Sequence, residues 1–290
     1  MRSYLGSFAA LVLSALLFAA CSTDLAGDAP ASPSPTAALD PDVAPVTDGD
    51  WYRPAADVTW QWQIQGEVNT SYEVAVYDVD LFDVPDAVIR TLQSRGIRVI
   101  CYFSAGSGEN YRPDYDLFAP ADLGTPLEGY PNERWLDVRS AQVVAVMEAR
   151  LDLAARRGCD GVEPDNVTAF DHATGFDITD RDQLAFNRHL ANEAHRRGLA
   201  IALKNDGDQA EALVDYFDFE LNEECHEYAE CNLLQVFPKH GKPILNAEYA
   251  DTRALAEARK GSLCAEAREQ QTRTLLLPYD LDDAFRIGCD

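Results

Sequence analysis

The stretch that decides the fold is Gly158-Cys159-Asp160-Gly161-Val162-Glu163-Pro164-Asp165-Asn166-Val167. In this stretch, a short apolar segment preceded by glycines is followed directly by two carboxylates and an amide. This pattern is typical of a short buried strand that ends at an active site, because Asp and Glu are rarely buried unless they are ion-paired or take part in function. The alternative is a strand that ends in solvated loop carboxylates, and this stretch alone does not separate the two interpretations.

Short apolar segments alternate with helix-like segments along the rest of the chain. Each helix-like segment stops at a glycine, and Ser140–Arg157 and Asp180–Arg197 also carry apolar residues at helical spacing. These segments are Pro85–Arg95, Ser140–Arg157, Asp180–Arg197 and Thr252–Lys260. The candidate strands are Thr59–Ile64, Val74–Tyr77, Val99–Phe103, Trp135–Val138, Gly161–Val162, Ala200–Leu203, Phe217–Leu221, Ile244–Ala247 and Thr274–Leu277.

The alternation predicts βαβ units and a parallel sheet. We therefore predict an α/β fold, a single (β/α)8 TIM-type barrel that follows an N-terminal signal and a flexible tether. Nine candidate strands exceed the eight of a plain barrel, so one of them is an extra strand or is wrongly assigned. An open doubly wound sheet is the alternative, and it is disfavoured because no G-x-G-x-x-G turn follows the first strand.

The N-terminus has the pattern of a targeting signal. Arg2 precedes an apolar stretch that is too short to span a bilayer comfortably, and Ala19-Ala20-Cys21 resembles the lipobox of bacterial lipoproteins. We predict a signal peptide over 1–20, a lipidated Cys21 with a disordered linker over 21–50, and one (β/α)8 domain over 51–290. The protein is then exported to the bacterial cell surface and touches the membrane through its lipid only. Ordinary signal cleavage near Ala20 is the alternative.

The net charge limits the classes of binding partner, and the number of cysteines indicates disulfides. The chain has 49 acidic and 24 basic residues, a formal net charge of -25, which disfavours nucleic acid and anionic lipid and would attract a cationic partner. An even number of cysteines beyond Cys21 indicates disulfides in an exported protein. Cys225 is expected to pair with Cys231 and Cys264 with Cys289, whereas Cys101 and Cys159 either pair or remain buried thiols. We expect a monomer without metal or cofactor.

Polar residues follow nearly every candidate strand, and in barrel enzymes the carboxyl ends of the strands form the active site. The histidines lie away from these ends, and no C-x-x-C spacing occurs. Gly106-Ser107-Gly108 is only a weak candidate for a phosphate loop, because Glu109 follows it. Acid/base or nucleophilic chemistry by carboxyl groups is the type of reaction that these residues still allow. Glycoside hydrolysis requires one protonated and one ionised carboxyl group, with aromatic and amide groups to hold the sugar.

Five motifs carry a resemblance to a known family. They are Trp60-Gln61-Trp62-Gln63, Tyr77-Asp78-Val79-Asp80-Leu81-Phe82, Cys101-Tyr102-Phe103-Ser104-Ala105-Gly106, Asp160-Gly161-Val162-Glu163-Pro164-Asp165-Asn166 and Leu203-Lys204-Asn205. In this order, over residues 55–280, they resemble glycoside hydrolase family 114, the endo-α-1,4-polygalactosaminidases. The resemblance implies a (β/α)8 barrel that cleaves α-1,4-linked galactosamine, with catalytic carboxylates at Asp165 and Glu223.

From these residues we expect Asp165 to be the nucleophile and Glu223 the general acid and base, although the roles are interchangeable. Crowding by Glu224, Glu248 and Asp165 is expected to raise the pKa of Glu223, and Lys204 to keep Asp165 ionised. Asp206, with Asp78, Asp80 and Glu248, is expected to pair with substrate ammonium groups. The predicted substrate contacts are Gln63, Asp78, Asp80, Tyr102, Asn166, Lys204, Asn205, Glu248 and Tyr249.

Two other functions fit the same residues. One is a surface lipoprotein that binds cationic polysaccharide without cutting it. The other is a barrel of the same fold that acts on a different glycan.

Overall fold

A computed structural model describes residues 35–289. The predicted signal peptide, Cys21 and the first part of the predicted linker lie outside the described residues. None of the helices within residues 35–289 is both long and apolar enough to cross a bilayer.

Twelve strands form two sheets. They are β1 (Trp60–Gln63), β2 (Val76–Asp80), β3 (Arg98–Ser104), β4 (Ser107–Glu109), β5 (Leu123–Leu127), β6 (Tyr130–Leu136), β7 (Gly161–Asp165), β8 (Ala200–Lys204), β9 (Phe219–Glu223), β10 (Ile244–Tyr249), β11 (Thr272–Leu277) and β12 (Ile287–Gly288). The large sheet has the order β1-β2-β3-β7-β8-β9-β10-β11-β12. Its first eight strands are parallel to their neighbours, and β12 is antiparallel to β11.

The strand count resolves in favour of a barrel with eight parallel strands. The surplus candidate, Trp135–Val138, is wrongly assigned to the barrel, because Trp135 and Leu136 end β6 in a small antiparallel sheet with the order β4-β6-β5. This sheet is inserted between β3 and the next helix. We call it the insertion sheet. The apolar residues of β6 look like a barrel strand in sequence, but β6 forms a hairpin with β5 and pairs antiparallel with β4 on its other side.

Six α-helices occur in the described part of the chain: α1 (Asp86–Ser94), α2 (Ala141–Arg157), α3 (Asp180–Arg196), α4 (Ala210–Leu213), α5 (Val236–Lys239) and α6 (Arg253–Glu269). Gly158 ends α2 with φ of 81°, a left-handed conformation that favours glycine. Helix α6 runs past Gly261, where the sequence predicted its end, because Leu263 and Ala267 continue its buried face. The helix periodicity therefore outweighs a single glycine there.

Alternate residues of each barrel strand face opposite sides of the sheet. On β8, Ala200 and Ala202 belong to the apolar cluster inside the barrel, whereas Ile201 and Leu203 pack in the cluster between sheet and helices. Lys204, the next inward position, therefore lies at the carboxyl end of the barrel interior. The same alternation brings Asp165 and Glu223 to the inward ends of β7 and β9.

Side chains join the first and last parallel strands. Trp60 Nε1 donates to Arg273 O at 2.7 Å, and Arg273 Nε donates to Val58 O at 3.0 Å. Three disulfides further fix the fold: Cys101–Cys159, Cys225–Cys231 and Cys264–Cys289. Two predicted pairs are thereby confirmed, and the open question over Cys101 and Cys159 is answered, because β3 and the start of β7 are neighbours.

The prediction of a disordered linker is wrong for residues 36–50, which run along the outside of the barrel. Ala37 N donates to Arg139 O at 2.7 Å, and Val46 N donates to Asn192 Oδ1 at 2.7 Å. Further along, Trp51 stacks on His195, with 4.0 Å between ring centroids. A composition rich in Pro, Ala and Asp suggested disorder, but backbone groups of this segment find partners on α3 that the sequence does not display.

We predict that a chain beginning at residue 51 is less stable than one beginning at residue 35. It loses several backbone hydrogen bonds to the barrel, each worth about 1 kcal/mol, so its free energy of unfolding falls by roughly 3 kcal/mol or more. Chemical denaturation of the two chains measures the difference. Trp51→Phe in the longer chain removes the bond from Nε1 to the buried Asp218 and puts a smaller ring against His195, so it should cost roughly 2 kcal/mol or more. Equal stability of the two chains would show that the segment contributes nothing.

Candidate active site

The ammonium group of Lys204 lies at the centre of the site. Its Nζ donates to Glu163 Oε1 at 2.8 Å and lies 3.2 Å from Asp165 Oδ1 and 3.3 Å from Glu223 Oε2. It also sits 4.8 Å from the centroid of the Trp62 ring. The Lys204 side chain is only 2% exposed, so this cation is held inside the protein by three carboxylates and an aromatic face.

Hydrogen-bond donors orient both predicted catalytic carboxylates. Tyr102 donates its hydroxyl to Asp165 Oδ2 at 3.2 Å, and the Asn166 backbone N–H donates to Oδ1 at 2.7 Å. Asn205 Nδ2 donates to Glu223 Oε2 at 2.9 Å, and the Tyr249 hydroxyl donates to Oε1. Each carboxylate is therefore fixed on both of its oxygens, as a reacting group requires.

The chain turns sharply directly after each of these strand ends. Asn166, Asn205 and Glu224 have φ values of 60°, 54° and 60°, and they follow Asp165, Lys204 and Glu223 respectively. Non-glycine residues rarely adopt this left-handed conformation, and Asn tolerates it best. The turns let the last inward side chain of each strand remain at the mouth of the barrel while the backbone leaves it.

The pKa of Glu223 is shifted in the direction opposite to the predicted one. Burial works to raise its pKa, but the charge of Lys204 and the hydrogen bonds from Tyr249 and Asn205 outweigh burial and lower it. The predicted crowding by Glu224 and Glu248 does not govern this group. Burial also works against the charge of Lys204, yet its carboxylate neighbours raise the Lys204 pKa well above the usual range. In the free protein both groups are therefore charged.

A second pair of carboxyl groups lies deeper in the barrel. Asp78 is fully buried, and burial together with neighbouring Glu163 raises its pKa well above the usual value. Neither oxygen of Asp78, nor Oε2 of Glu163, accepts a hydrogen bond from a nitrogen or a hydroxyl. A protonated Asp78 that donates to Glu163 provides a partner for one oxygen of each group. Asp78 therefore supports the floor of the site, and its prediction as a substrate contact is wrong because it is fully buried.

Two recesses meet at Asp165 and Lys204, which line both of them, whereas Glu223 lines the first recess. They enclose about 610 and 650 Å³. The first recess is lined among others by Trp62, Glu109, Tyr111, Glu133, Tyr249 and Tyr279. The second recess is lined among others by Trp135, Thr168, His172, Asp208, Asn222 and Glu230. Together they make one cleft, in which the two recesses join at Asp165 and Lys204.

Most of the predicted substrate contacts line this cleft. They are Gln63, Asp80, Tyr102, Asn166, Lys204, Asn205 and Tyr249. Two of them already have strong partners there. Asp80 is ion-paired with Arg112 at 2.6 Å, and Gln63 donates to the backbone oxygens of Gln65 and Glu67.

The remaining predicted ammonium partners do not face the cleft freely. Glu248 lies behind the sheet, where it accepts hydrogen bonds from His226 N and Asn246 Nδ2, so its prediction as a substrate contact is wrong. It sits on the outward face of β10, one residue from the inward Tyr249. Asp206 lines the second recess, but Asn187 Nδ2 donates to it at 2.9 Å and burial raises its pKa to about 7.

Sequence reasoning missed the contribution of the insertion sheet. Glu109, Tyr130 and Glu133 line the first recess, although none of them follows a barrel strand. The available signal was the run Gly106-Ser107-Gly108-Glu109, which the sequence offered only as a weak phosphate loop. The backbone at Gly106 lies very close to the backbone after β7, since a Cβ at Gly106 would lie 1.7 Å from Asn166 O.

A barrel of parallel strands that carries two oriented carboxylates at the carboxyl end, in an open cleft, defines a glycosidase-type site. A family model for glycoside hydrolase family GH114 matches residues 41–290. The chain belongs to this family and is a glycoside hydrolase. No curated protein sequence matches the chain significantly.

Solved structures show the same architecture. The crystal structure of Aspergillus fumigatus Ega3 in complex with galactosamine is 39% identical, with 84% of this chain and 99% of that chain covered and a TM-score of 0.79. The glycoside hydrolase domain of PelA from Pseudomonas aeruginosa is 15% identical, with 81% and 98% covered and a TM-score of 0.63. At that identity the similarity to PelA concerns the fold alone.

We predict that Lys204→Met destabilises the protein by roughly 3 to 5 kcal/mol, because it leaves buried carboxylates without their cation. The carboxylate pKa values then rise above those of the unfolded chain. Stability from such groups is present at low pH and lost as pH rises through the raised pKa, so the loss should be larger at about pH 8 than at about pH 5. Thermal unfolding of both proteins at the two pH values measures this.

Lys239→Met is the matched control, because Lys239 is exposed on α5. A loss of stability in Lys204→Met that does not depend on pH, or that Lys239→Met reproduces, would contradict the central role of this ammonium group.

Proposed function

We propose that this glycoside hydrolase cleaves α-1,4-galactosaminidic bonds within a cationic exopolysaccharide by a two-carboxylate mechanism. The observation that carries the proposal is the convergence of Asp165 and Glu223 on one ammonium group at the junction of two recesses. Galactosamine polymers with free amines are polycations, and a chain with a net charge of -25 attracts them. The similar Ega3 structure contains galactosamine, which supports this sugar as the substrate unit.

The separation of the carboxylates supports retention of the sugar configuration. Because Asp165 Oδ1 and Glu223 Oε2 lie 3.2 and 3.3 Å from the same nitrogen, they are at most about 6.5 Å apart. Retaining glycosidases hold their carboxyl groups about 5 to 5.5 Å apart, whereas inverting ones need about 6.5 to 9.5 Å to fit a water molecule. The upper limit here reaches only the lowest edge of the inverting range.

In the proposed reaction Asp165 attacks the anomeric carbon and forms a glycosyl ester while Glu223 protonates the leaving oxygen. Glu223 then removes a proton from water, which releases the sugar from Asp165. Three donors, Lys204, Tyr102 and the Asn166 N–H, hold Asp165 as a nucleophile. Glu223 is ionised in the free protein, so it takes up its proton before the first step. Once Asp165 is esterified, Lys204 favours the ionised Glu223 that the second step requires.

The shape of the cleft supports cleavage inside a polymer rather than at its end. A single closed pocket would accept a chain terminus, but here two recesses join at Asp165 and Lys204 and offer space to more than one sugar unit. Tyr249 and Tyr279 on one side, and the stacked Trp135 and His172 on the other, offer ring faces to sugars.

We predict that Asp165→Asn and Glu223→Gln each lower kcat by about 1,000-fold or more, because each removes a group that acts in the transition state. Release of galactosamine oligomers from deacetylated and acetylated polymers measures activity. Azide then separates the roles with an activated substrate: a nucleophile variant yields the inverted glycosyl azide, and an acid/base variant yields the retained one.

Glu248→Gln is the matched control and should retain most activity, because Glu248 lies behind the sheet. Near-normal rates in Asp165→Asn or Glu223→Gln would remove that residue from the mechanism. Binding of the polymer without soluble products from the unaltered protein would favour the non-catalytic lipoprotein, and products from a different polymer would favour another glycan substrate.

We also propose that the protein is an exported monomer, anchored to the membrane through a lipid on Cys21. The three disulfides of residues 35–289 support export, since such bonds persist outside the cytosol. We expect Cys21→Ser to abolish incorporation of labelled palmitate and to release the protein from the membrane fraction. Continued labelling of Cys21→Ser would contradict the anchor.

A further inference from the structure

The insertion sheet places two carboxylates directly opposite each other. Glu109 on β4 and Glu133 on β6 are Cα partners in the antiparallel ladder, and both line the first recess. Like charges at directly opposed positions destabilise a sheet. Such a local conflict between sequence and fold is expected at functional sites, where another group compensates for it.

Glu133 has no cation of its own. It is only 8% exposed, and within residues 35–289 no Lys, Arg or His nitrogen lies within ion-pair distance of it. Arg112, the nearest shared cation of this region, serves Asp80, Asp83 and Glu109. Burial, followed by the charges of Glu109 and Asp165, raises the pKa of Glu133 to about 7, although the bond from Ser107 opposes this rise.

Glu109 likewise presents an unsatisfied oxygen. Its Oε1 accepts from Tyr111 at 2.7 Å and pairs with Arg112 at 2.8 Å. Its buried Oε2 accepts no hydrogen bond, and the closest cationic nitrogen, Arg150 Nη1, is 3.9 Å away. A buried carboxylate oxygen without a donor is costly. Glu109 therefore has cations beside it but one oxygen without a donor, and Glu133 has no ion-pair partner among residues 35–289. The pair as a whole lacks one positive charge and its N–H donors.

A chain of hydrogen bonds connects Glu133 with the catalytic strand end. Ser107 Oγ donates to Glu133 Oε2 at 2.7 Å, so the 2.6 Å contact between Ser104 and Ser107 requires Ser104 to donate. Asn166 Nδ2 in turn donates to Ser104 Oγ at 2.9 Å. Glu133 Oε2 is therefore held at a fixed position relative to Asn166, the residue after Asp165, while its other oxygen remains for a ligand.

We propose that Glu133, together with Glu109, binds the ammonium group of the galactosamine unit in the first recess and so makes the enzyme select free amines over acetylated ones. A primary ammonium supplies one positive charge and three N–H donors, which is what these two carboxyl groups lack. An acetamido group carries no charge and more bulk, so it leaves both carboxylates uncompensated. This inference rests on the proposed function, because it concerns a sugar bound beside Asp165 and Glu223.

The test compares Glu133→Gln with the unaltered enzyme on galactosamine oligomers with free amines. Gln keeps the shape and the bond from Ser107 but removes the charge. We expect kcat/KM to fall at least tenfold, mainly through KM, and the preference for free over acetylated oligomers to shrink by a similar factor. Glu73→Gln removes an equal charge from an exposed side chain at the opposite end of the barrel, and it should leave both quantities unchanged.

Stability separates a binding role from a structural one. Glu133 has a pKa above that of the unfolded chain, so its contribution to stability is lost as pH rises through about 7. Glu133→Gln cannot ionise, so it does not lose stability as pH rises through about 7. Above that pH the variant should be at least as stable as the unaltered protein. A clear loss of stability in the variant at that pH, an equal loss of activity on acetylated oligomers, or the same effects in Glu73→Gln would overturn the proposal.

A binding measurement keeps this inference distinct from the hydrolysis proposal. In carboxyl-labelled protein, NMR should follow Glu133 titrating near neutral pH, and added galactosamine should lower its pKa by at least one unit. N-acetylgalactosamine should not. If no polymer is cleaved, the hydrolysis proposal fails while this titration still decides the ammonium site. A Glu133 titration that galactosamine leaves unmoved would overturn the ammonium site whether or not the enzyme cleaves.

Discussion

The structure of the site depends on one buried ammonium group. Lys204 carries its charge in the barrel interior because Glu163, Asp165 and Glu223 surround it and the Trp62 ring lies beside it. Each of those carboxylates would be unfavourable at its place without a cation, and the cation would be unfavourable without them. The arrangement also determines the spacing of Asp165 and Glu223, the two carboxylates of the proposed mechanism, since both are held against the same nitrogen atom. Catalytic geometry and local stability therefore have a common origin.

The barrel makes this convergence possible. Asp165, Lys204 and Glu223 end three strands that are neighbours in the sheet although they are far apart in sequence. Parallel strands bring all their carboxyl ends to one face, and the twofold alternation directs these last residues inward. The left-handed residues Asn166 and Asn205 then turn the backbone away, and their side chains return to bind Ser104 and Glu223. Strand ends and turns thus form one continuous hydrogen-bonded rim.

Negative charge at the cleft is only partly compensated within the protein. Lys204 neutralises negative charge at the centre of the site, and Arg112 neutralises negative charge near Asp80 and Glu109. Glu133 has no cationic partner in the described part of the chain. Such an imbalance destabilises an empty site and favours a cationic ligand. It is also the opposite of what a neutral polysaccharide would require, which links the acidic composition of the chain to the chemistry of its cleft.

Sequence by itself determined the alternation of strands and helices, the acidic cleft and two of the disulfides. These follow from local rules: apolar periodicity, glycine at helix ends, and carboxylates at strand tips such as Glu163-Pro164-Asp165. Only the tertiary structure decided which carboxylates meet, that Glu248 faces away while Tyr249 faces in, and that Trp135 belongs to an inserted sheet. It alone decided the lowered pKa of Glu223 and the burial of Glu133 without an ion-pair partner among residues 35–289. The physical reason is that burial and charge pairing depend on neighbours distant in the chain, and a shift of one residue along a strand reverses the side of the sheet on which a side chain lies.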